Sequence, residues 1–297
     1  MSGVGSFFAK KFSLLQHLVV PGWSDSKIDA LLITPRANGA QSARVPKEID
    51  QFTMKTKDGQ INVYRTGSGP TVVFVHGLDG GAYHFFPLMR GLTKCGFTSF
   101  AFDHLGHGHS EVKPATLQQS IATTNHVLNY VKKKSSGGLS AVVGHATGCI
   151  AIANARPALM KDLPLFLISP IFNYKLFVLK RLVKLDLHAN LIKKYASRFT
   201  RVYRHEYEKL ELARNLARYG DVSVIAHDKS DSESPVSDSE NFCNRFPLTK
   251  LLLTGEFDHV RVINSESVWQ ELKSHLNYDD TTVNFVLEIL SSQDVQN

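Results

Sequence analysis

The chain has 297 residues, 43% of them hydrophobic, which is enough to bury the core of one large domain, and its three cysteines are widely spaced without a paired C-x-x-C arrangement. No window holds the roughly 18 to 20 uninterrupted apolar residues of a membrane-spanning helix, and free thiols in a reducing cytoplasm are the simplest reading of the cysteines. The formal charge is +7, yet no nucleic-acid motif or arginine-rich tail accompanies it; residues 173–220 hold twelve Lys or Arg against four Asp or Glu, so one segment carries the basicity.

In chain order, residues 4–19 mix Phe7, Phe8, Phe12 and Leu15 with Lys10 and Lys11, the pattern of an amphipathic helix rather than of a signal peptide. The stretch from Thr34 to Pro46 reads as a linker, and the compact part is expected to begin near Glu48. Alternation from Gln51 to Val63 around Asp58-Gly59 predicts a hairpin. Continuous apolar runs at 71–75, 98–102, 139–143 and 165–168 read as buried parallel strands. A helix is expected from Ser120 to Lys133 between them. The basic segment has helical spacing. It is followed by strands at Val222 to Ala226 and Lys250 to Leu253 and by a helix containing Trp269, Leu272 and Leu276. Alternating strands and helices imply an α/β fold, a mostly parallel sheet covered on both faces.

The strand ending at Val143 runs into Gly144-His145-Ala146-Thr147-Gly148. A strand that turns directly into a helix through Gly-x-nucleophile-x-Gly puts its central side chain on a tight bend, close to the free N–H groups of the helix. Here that side chain is a methyl group, which cannot attack a carbonyl. Taken alone, Gly-x-x-x-Gly after a strand is equally well a plain βα turn. Two further motifs accompany it in order: His76-Gly77-Leu78-Asp79-Gly80-Gly81 after the first buried strand, and Asp103-His104-Leu105-Gly106-His107-Gly108-His109-Ser110 after the second. Together they resemble the His-Gly loop, the D-x-x-G-x-G-x-S turn and the nucleophile elbow of the α/β-hydrolases, over about residues 50–290. The resemblance implies the α/β-hydrolase fold, with His76, Gly77 and His145 lining the site and an oxyanion hole formed by the backbone N–H groups of Leu78 and Thr147. It also implies the division of the chain: an N-terminal helix and linker at 1–47, a core at 48–172 and 221–297, and a helical basic cap at 173–220. The spacing of His104, His107 and His109 on a glycine loop supplies no fixed metal geometry. Cys149 lies three residues beyond the elbow, inside the helix, and reads as a packed thiol.

Hydrolases of this fold place an acid and then a histidine after the nucleophile. One assignment takes Asp258, in Leu253-Thr254-Gly255-Glu256-Phe257-Asp258, with His275. It leaves only 17 residues for a helix and a strand between them. The other takes Asp231, in His227-Asp228-Lys229-Ser230-Asp231, with His259 after the last strand, 28 residues later. This second arrangement has room for helix, strand and loop and resembles a bacterial subgroup with an H-D-x-x-D acid loop, so Asp231 and His259 are the expected pair. In an intact triad the aspartate orients the imidazole and the other ring nitrogen takes the serine proton.

Retention of both partners beside Ala146 fits a serine replaced to trap substrate or a natural homologue that lost catalysis and serves as a ligand-binding receptor or scaffold. The loss of a single oxygen favours the first. The parent is then an acyl ester or thioester hydrolase that needs no cofactor and no metal, with no nucleic acid among its partners. The cationic cap suits an acyl-CoA, an acyl-carrier partner or an anionic membrane surface, against the plainer reading of a solvated helix face. A cytoplasmic protein, with peripheral membrane contact as the variant, is the expected location.

Overall fold

The computed structural model describes residues 43–113, 116–135, 137–160, 163–184 and 223–277, and within the basic segment 189–190, 192–193, 196–197, 200–201 and 208–219. The amphipathic helix expected at 4–19 lies outside the described residues. Asp50–Thr56 (β1) and Gly59–Thr66 (β2) pair antiparallel from Asp50↔Arg65 to Thr56↔Gly59, closing the hairpin read from Asp58-Gly59. Thr71–Val75 (β3), Thr98–Phe102 (β4), Leu139–His145 (β5), Leu165–Ile168 (β6), Ser223–Asp228 (β7) and Lys250–Thr254 (β8) complete one sheet in the order β1-β2-β4-β3-β5-β6-β7-β8. All pairings from β4 to β8 are parallel.

The apolar runs are buried on both faces. In β3, Val73 and Val75 face one core cluster, which contains Leu128, Ile150 and Phe242, while Val72 and Phe74 face another, which contains Met89, Val268 and Leu272. Each such fully buried side chain is worth about 1.5–3 kcal/mol, so alternate residues of one strand fasten helices to both sides. The first cluster takes up Leu117–Lys134 (α2), Thr147–Ala153 (α3), Tyr174–Lys184 (α5), Leu212–Leu216 (α6) and Val236–Arg245 (α7), with the short Pro157–Met160 (α4). The second takes up Phe86–Lys94 (α1) and Glu266–His275 (α8).

Several boundaries differ from expectation, two of them with a plain cause. Helix α2 begins three residues before Ser120 because the Thr116 hydroxyl accepts from Gln119 N–H while the Gln119 side chain accepts from Thr116 N–H. This capping box fixes the first turn. Strand β7 runs past Ala226 to Asp228, since His227 and Asp228 still pair with Leu253 and Thr254. It therefore delivers the acid loop one residue pair higher on the sheet.

Candidate active site

From β3 the chain proceeds to β4 on one side and later to β5 on the other, and the crevice of such a sheet opens at the carboxyl ends of the strands flanking that reversal. Gly77 and Ala146 meet there. Ala146 adopts φ 52, ψ −120, and its N–H donates to Ile168 O at 3.0 Å. The close approach requires glycine at two places: a Cβ on Gly77 would lie 2.7 Å from the Ala146 Cβ, and one on Gly148 would lie 2.2 Å from Val75 O. The strained elbow is thus wedged between β3 and the His-Gly loop, and it presents a methyl group.

On the oxyanion side the geometry departs from the sequence expectation. The Leu78 N–H is already engaged, donating to the Thr147 hydroxyl at 2.8 Å. Behind it, His76 donates from Nδ1 to Gly77 O at 2.8 Å and accepts the His104 N–H at Nε2, 2.9 Å away, which fixes its tautomer. The His104 and His107 rings pack 4.6 and 5.0 Å from His76. Burial holds all three imidazoles neutral, pushing His104 down to about 3 and His76 well below the usual histidine range. Among the described residues no group of three His, Cys, Asp or Glu is arranged to hold a metal. Asp103 serves the turn itself: its carboxylate accepts from the N–H groups of Ala82 and His109 and from the Tyr64 hydroxyl, at 2.8 to 2.9 Å.

The opposite wall is built from β7 and β8. Asp231, with a fully buried side chain, accepts at Oδ2 from His259 Nδ1 at 2.7 Å and from His227 Nε2 at 3.1 Å. Its Oδ1 accepts the N–H groups of Glu233 and Ser234 at 2.8 and 2.9 Å. Burial alone would raise the Asp231 carboxyl, but the hydrogen bonds from His227, His259 and Ser234 outweigh it and hold the group well below the usual carboxylate range. With Nδ1 directed at Asp231, His259 leaves Nε2 as the ring nitrogen available to act as a general base. His145, next to the elbow, donates from Nε2 to His259 O at 2.7 Å, and its ring lies tilted 4.9 Å from the His259 ring. Elbow and histidine loop are therefore tied together.

The rival pair is apart. Asp258 accepts the N–H groups of Val260 and Arg261 and pairs with the Arg261 side chain, while His275 ends α8 and packs 5.8 Å from Phe166. No strand lies between them. Cys149 is fully buried, and burial pushes its thiol up, away from the reactive thiolate.

Three participants escape a reading of the sequence. His227 sits in the H-D-x-x-D motif, but only the structure shows its Nδ1 accepting from the Ser239 hydroxyl while Nε2 reaches Asp231. His84 meets His145 edge-on with ring centres 6.4 Å apart and is lowered to about 4 by burial and by His259. The Thr147 side chain is the third. Beyond it, Tyr174 separates a void of about 20 Å³ beside Leu78 and Thr147 from a cavity of about 650 Å³ under α5, α6 and α7, floored by Ile150, Phe172 and Phe242.

A family described as the alpha/beta hydrolase fold matches residues 70–155. An esterase of Pyrococcus furiosus superposes with a TM-score of 0.63 at 19% identity, covering 82% of this chain and 98% of that one. The thioesterase domain from a curacin biosynthetic pathway superposes at 0.54 with 15% identity, covering 77% and 99%. A 2-(acetamidomethylene)succinate hydrolase of Mesorhizobium japonicum is 34% identical over 102 residues, 33% of this chain. The match spans about a third of that enzyme, 36% of its length. The elbow, the His-Gly loop and the mostly parallel eight-stranded sheet formed by the described residues together make up the α/β-hydrolase fold.

Proposed function

We propose that the chain is an acyl ester or thioester hydrolase scaffold held in an inactive form by Ala146, with Asp231 and His259 as acid and base. The observation that carries this reading is the 2.7 Å hydrogen bond from His259 Nδ1 to a buried Asp231 carboxylate, beside an elbow that keeps its strained conformation without its oxygen. With serine at position 146, His259 Nε2 would take the hydroxyl proton as oxygen attacks the acyl carbon, and would return it to the leaving alcohol or thiol. Water would then release the acid by the same route. The esterase and thioesterase that share the fold are consistent with that chemistry.

A second reading has its own observation. The Thr147 hydroxyl occupies the Leu78 N–H that would stabilise an oxyanion, which suits a homologue that binds a ligand and performs no acyl transfer. The test is Ala146→Ser: labelling by a fluorophosphonate probe and turnover of short or medium esters support the hydrolase scaffold. A folded Ala146→Ser protein that does neither leaves the binding homologue. A soluble protein, peripheral to an anionic surface or acyl-carrier partner through its basic segment, fits this reading. Among the described residues no helix is long and apolar enough to cross a membrane.

A further inference from the structure

Two adjacent side chains of α5 grip the two loops that flank the elbow. Lys180 donates from Nζ to Ser232 O at 3.0 Å and Glu233 O at 3.2 Å, the carbonyls of the turn whose N–H groups hold Asp231. Arg181, 5% exposed, makes a two-pronged pair with Asp79, Nη1 to Oδ2 and Nη2 to Oδ1, the latter at 3.3 Å. Asp79 follows Leu78 directly and sits at φ 65, in the left-handed region that few residues other than Gly, Asn and Asp occupy. The Arg181 guanidinium is itself seated 5.9 Å over the Phe177 ring one turn earlier.

The contacts differ in chemistry as their targets do. A flexible ammonium suits a pair of carbonyls, whereas a planar fork fixes the orientation of a carboxylate. Since both leave the same helical turn, neither loop can move away from α5 without breaking a charged contact. A cap helix that merely covered the cavity would need only its apolar face, Phe177 and Val178, which is present as well.

We infer that Lys180 and Arg181 are positioning residues through which the α5 segment holds the Asp231 loop and the Leu78-Asp79 loop in register across the elbow. The inference deepens the hydrolase reading and rests on it for its kinetic consequence, while its geometric consequence is independent of turnover.

The two parts are tested separately. In the chain as it stands, the Asp231–His259 hydrogen bond is followed through the downfield imidazole Nδ1 proton by NMR, and the Leu78 amide through its ¹⁵N shift. Lys180→Met is expected to broaden or shift the His259 proton and leave the Leu78 amide in place. Arg181→Gln and Asp79→Asn should each move the Leu78 amide, with Arg181→Lys giving partial recovery. In the Ala146→Ser background, Arg181→Gln should lower kcat about 10- to 100-fold while KM changes less than about threefold, the scale of a displacement of roughly 1 Å. The double variant Arg181→Gln with Asp79→Asn should be no worse than either single change. If folded Lys180→Met and Arg181→Gln proteins keep both NMR signals unchanged, the positioning role is overturned. If the signals move as expected but the Ala146→Ser protein turns over nothing, the inference about the loops survives and the hydrolase reading fails. Should Arg181→Gln not fold, the exposed-side variant Lys180→Met and the isosteric Asp79→Asn decide the matter.

Discussion

The two walls of the crevice are held by different forces. On the β7–β8 side, Asp231 is buried among four donors and His259 leans on it, so the wall is a polar network whose members satisfy one another. On the β3–β5 side, the elbow is fixed by backbone proximity, Ala146 against Gly77 and Gly148 against Val75, and the Leu78 N–H is bonded to the Thr147 side chain. A polar network depends on each of its groups, whereas a backbone wedge is indifferent to the side chain it carries. A methyl group at 146 is therefore compatible with the backbone of the elbow, whereas loss of the carboxylate at 231 would leave four donors without their acceptor.

That contrast is broken most directly in the Ala146→Ser background. There His259→Ala should reduce turnover by about 10⁴-fold, the scale of removing a triad member, while His275→Ala should change it less than about threefold. The comparison is read from kcat/KM on one ester, and a reversed order of the two would move the base to His275. Next in size, Asp231→Ala leaves buried imidazole and backbone donors without an acceptor and should cost about 3–5 kcal/mol, measured by urea unfolding at pH 7. Because the folded Asp231 is depressed, its stabilisation is fully present above the unfolded value near about 4 and fades as pH falls below it. The gap between the Asp231→Asn and parent proteins should thus narrow below about pH 4; a constant gap would mean the carboxylate's charge contributes nothing.

A smaller effect sharpens the other wall. Thr147→Val removes the hydroxyl but keeps the branched shape. Freeing the Leu78 N–H should tighten binding of a short carboxylate such as butyrate by up to about tenfold, one hydrogen bond's worth, in calorimetric titration. Weaker binding would instead make the hydroxyl a brace of the loop. The smallest change is expected at the surface. Reversing the exposed Lys193 with its neighbour Lys194 to Glu should alter acyl-CoA association less than about threefold at physiological salt and more at low salt, where the Debye length exceeds about 10 Å. Equal response of a neutral ester would reduce the basic segment to a solvated face.

How much of this was legible depended on the reach of each interaction along the chain. Strands and elbow are local patterns, so the sheet, the hairpin and the Gly144-to-Gly148 turn follow from runs of a few residues. The pairing of Asp231 with His259 could be argued because a parallel sheet fixes which loops share an edge. The Thr147–Leu78 bond spans 69 residues and the Asp79–Arg181 pair 102, and both depend on side-chain rotamers that no periodicity encodes. For the same reason the family resemblance implied an oxyanion hole from the Leu78 and Thr147 N–H groups, where the structure has the Leu78 N–H bonded to the Thr147 hydroxyl.

The wedge at the elbow has a consequence for what position 146 could become. Since Gly77 and Gly148 dictate the backbone there, the turn works as a socket that delivers whatever side chain is plugged into it to the same point above the sheet. A thiol or a carboxylate installed at 146 would ride on the same backbone turn, and because Ala146 is itself only 2% exposed its added atoms would have to find room among close-packed neighbours rather than in open solvent.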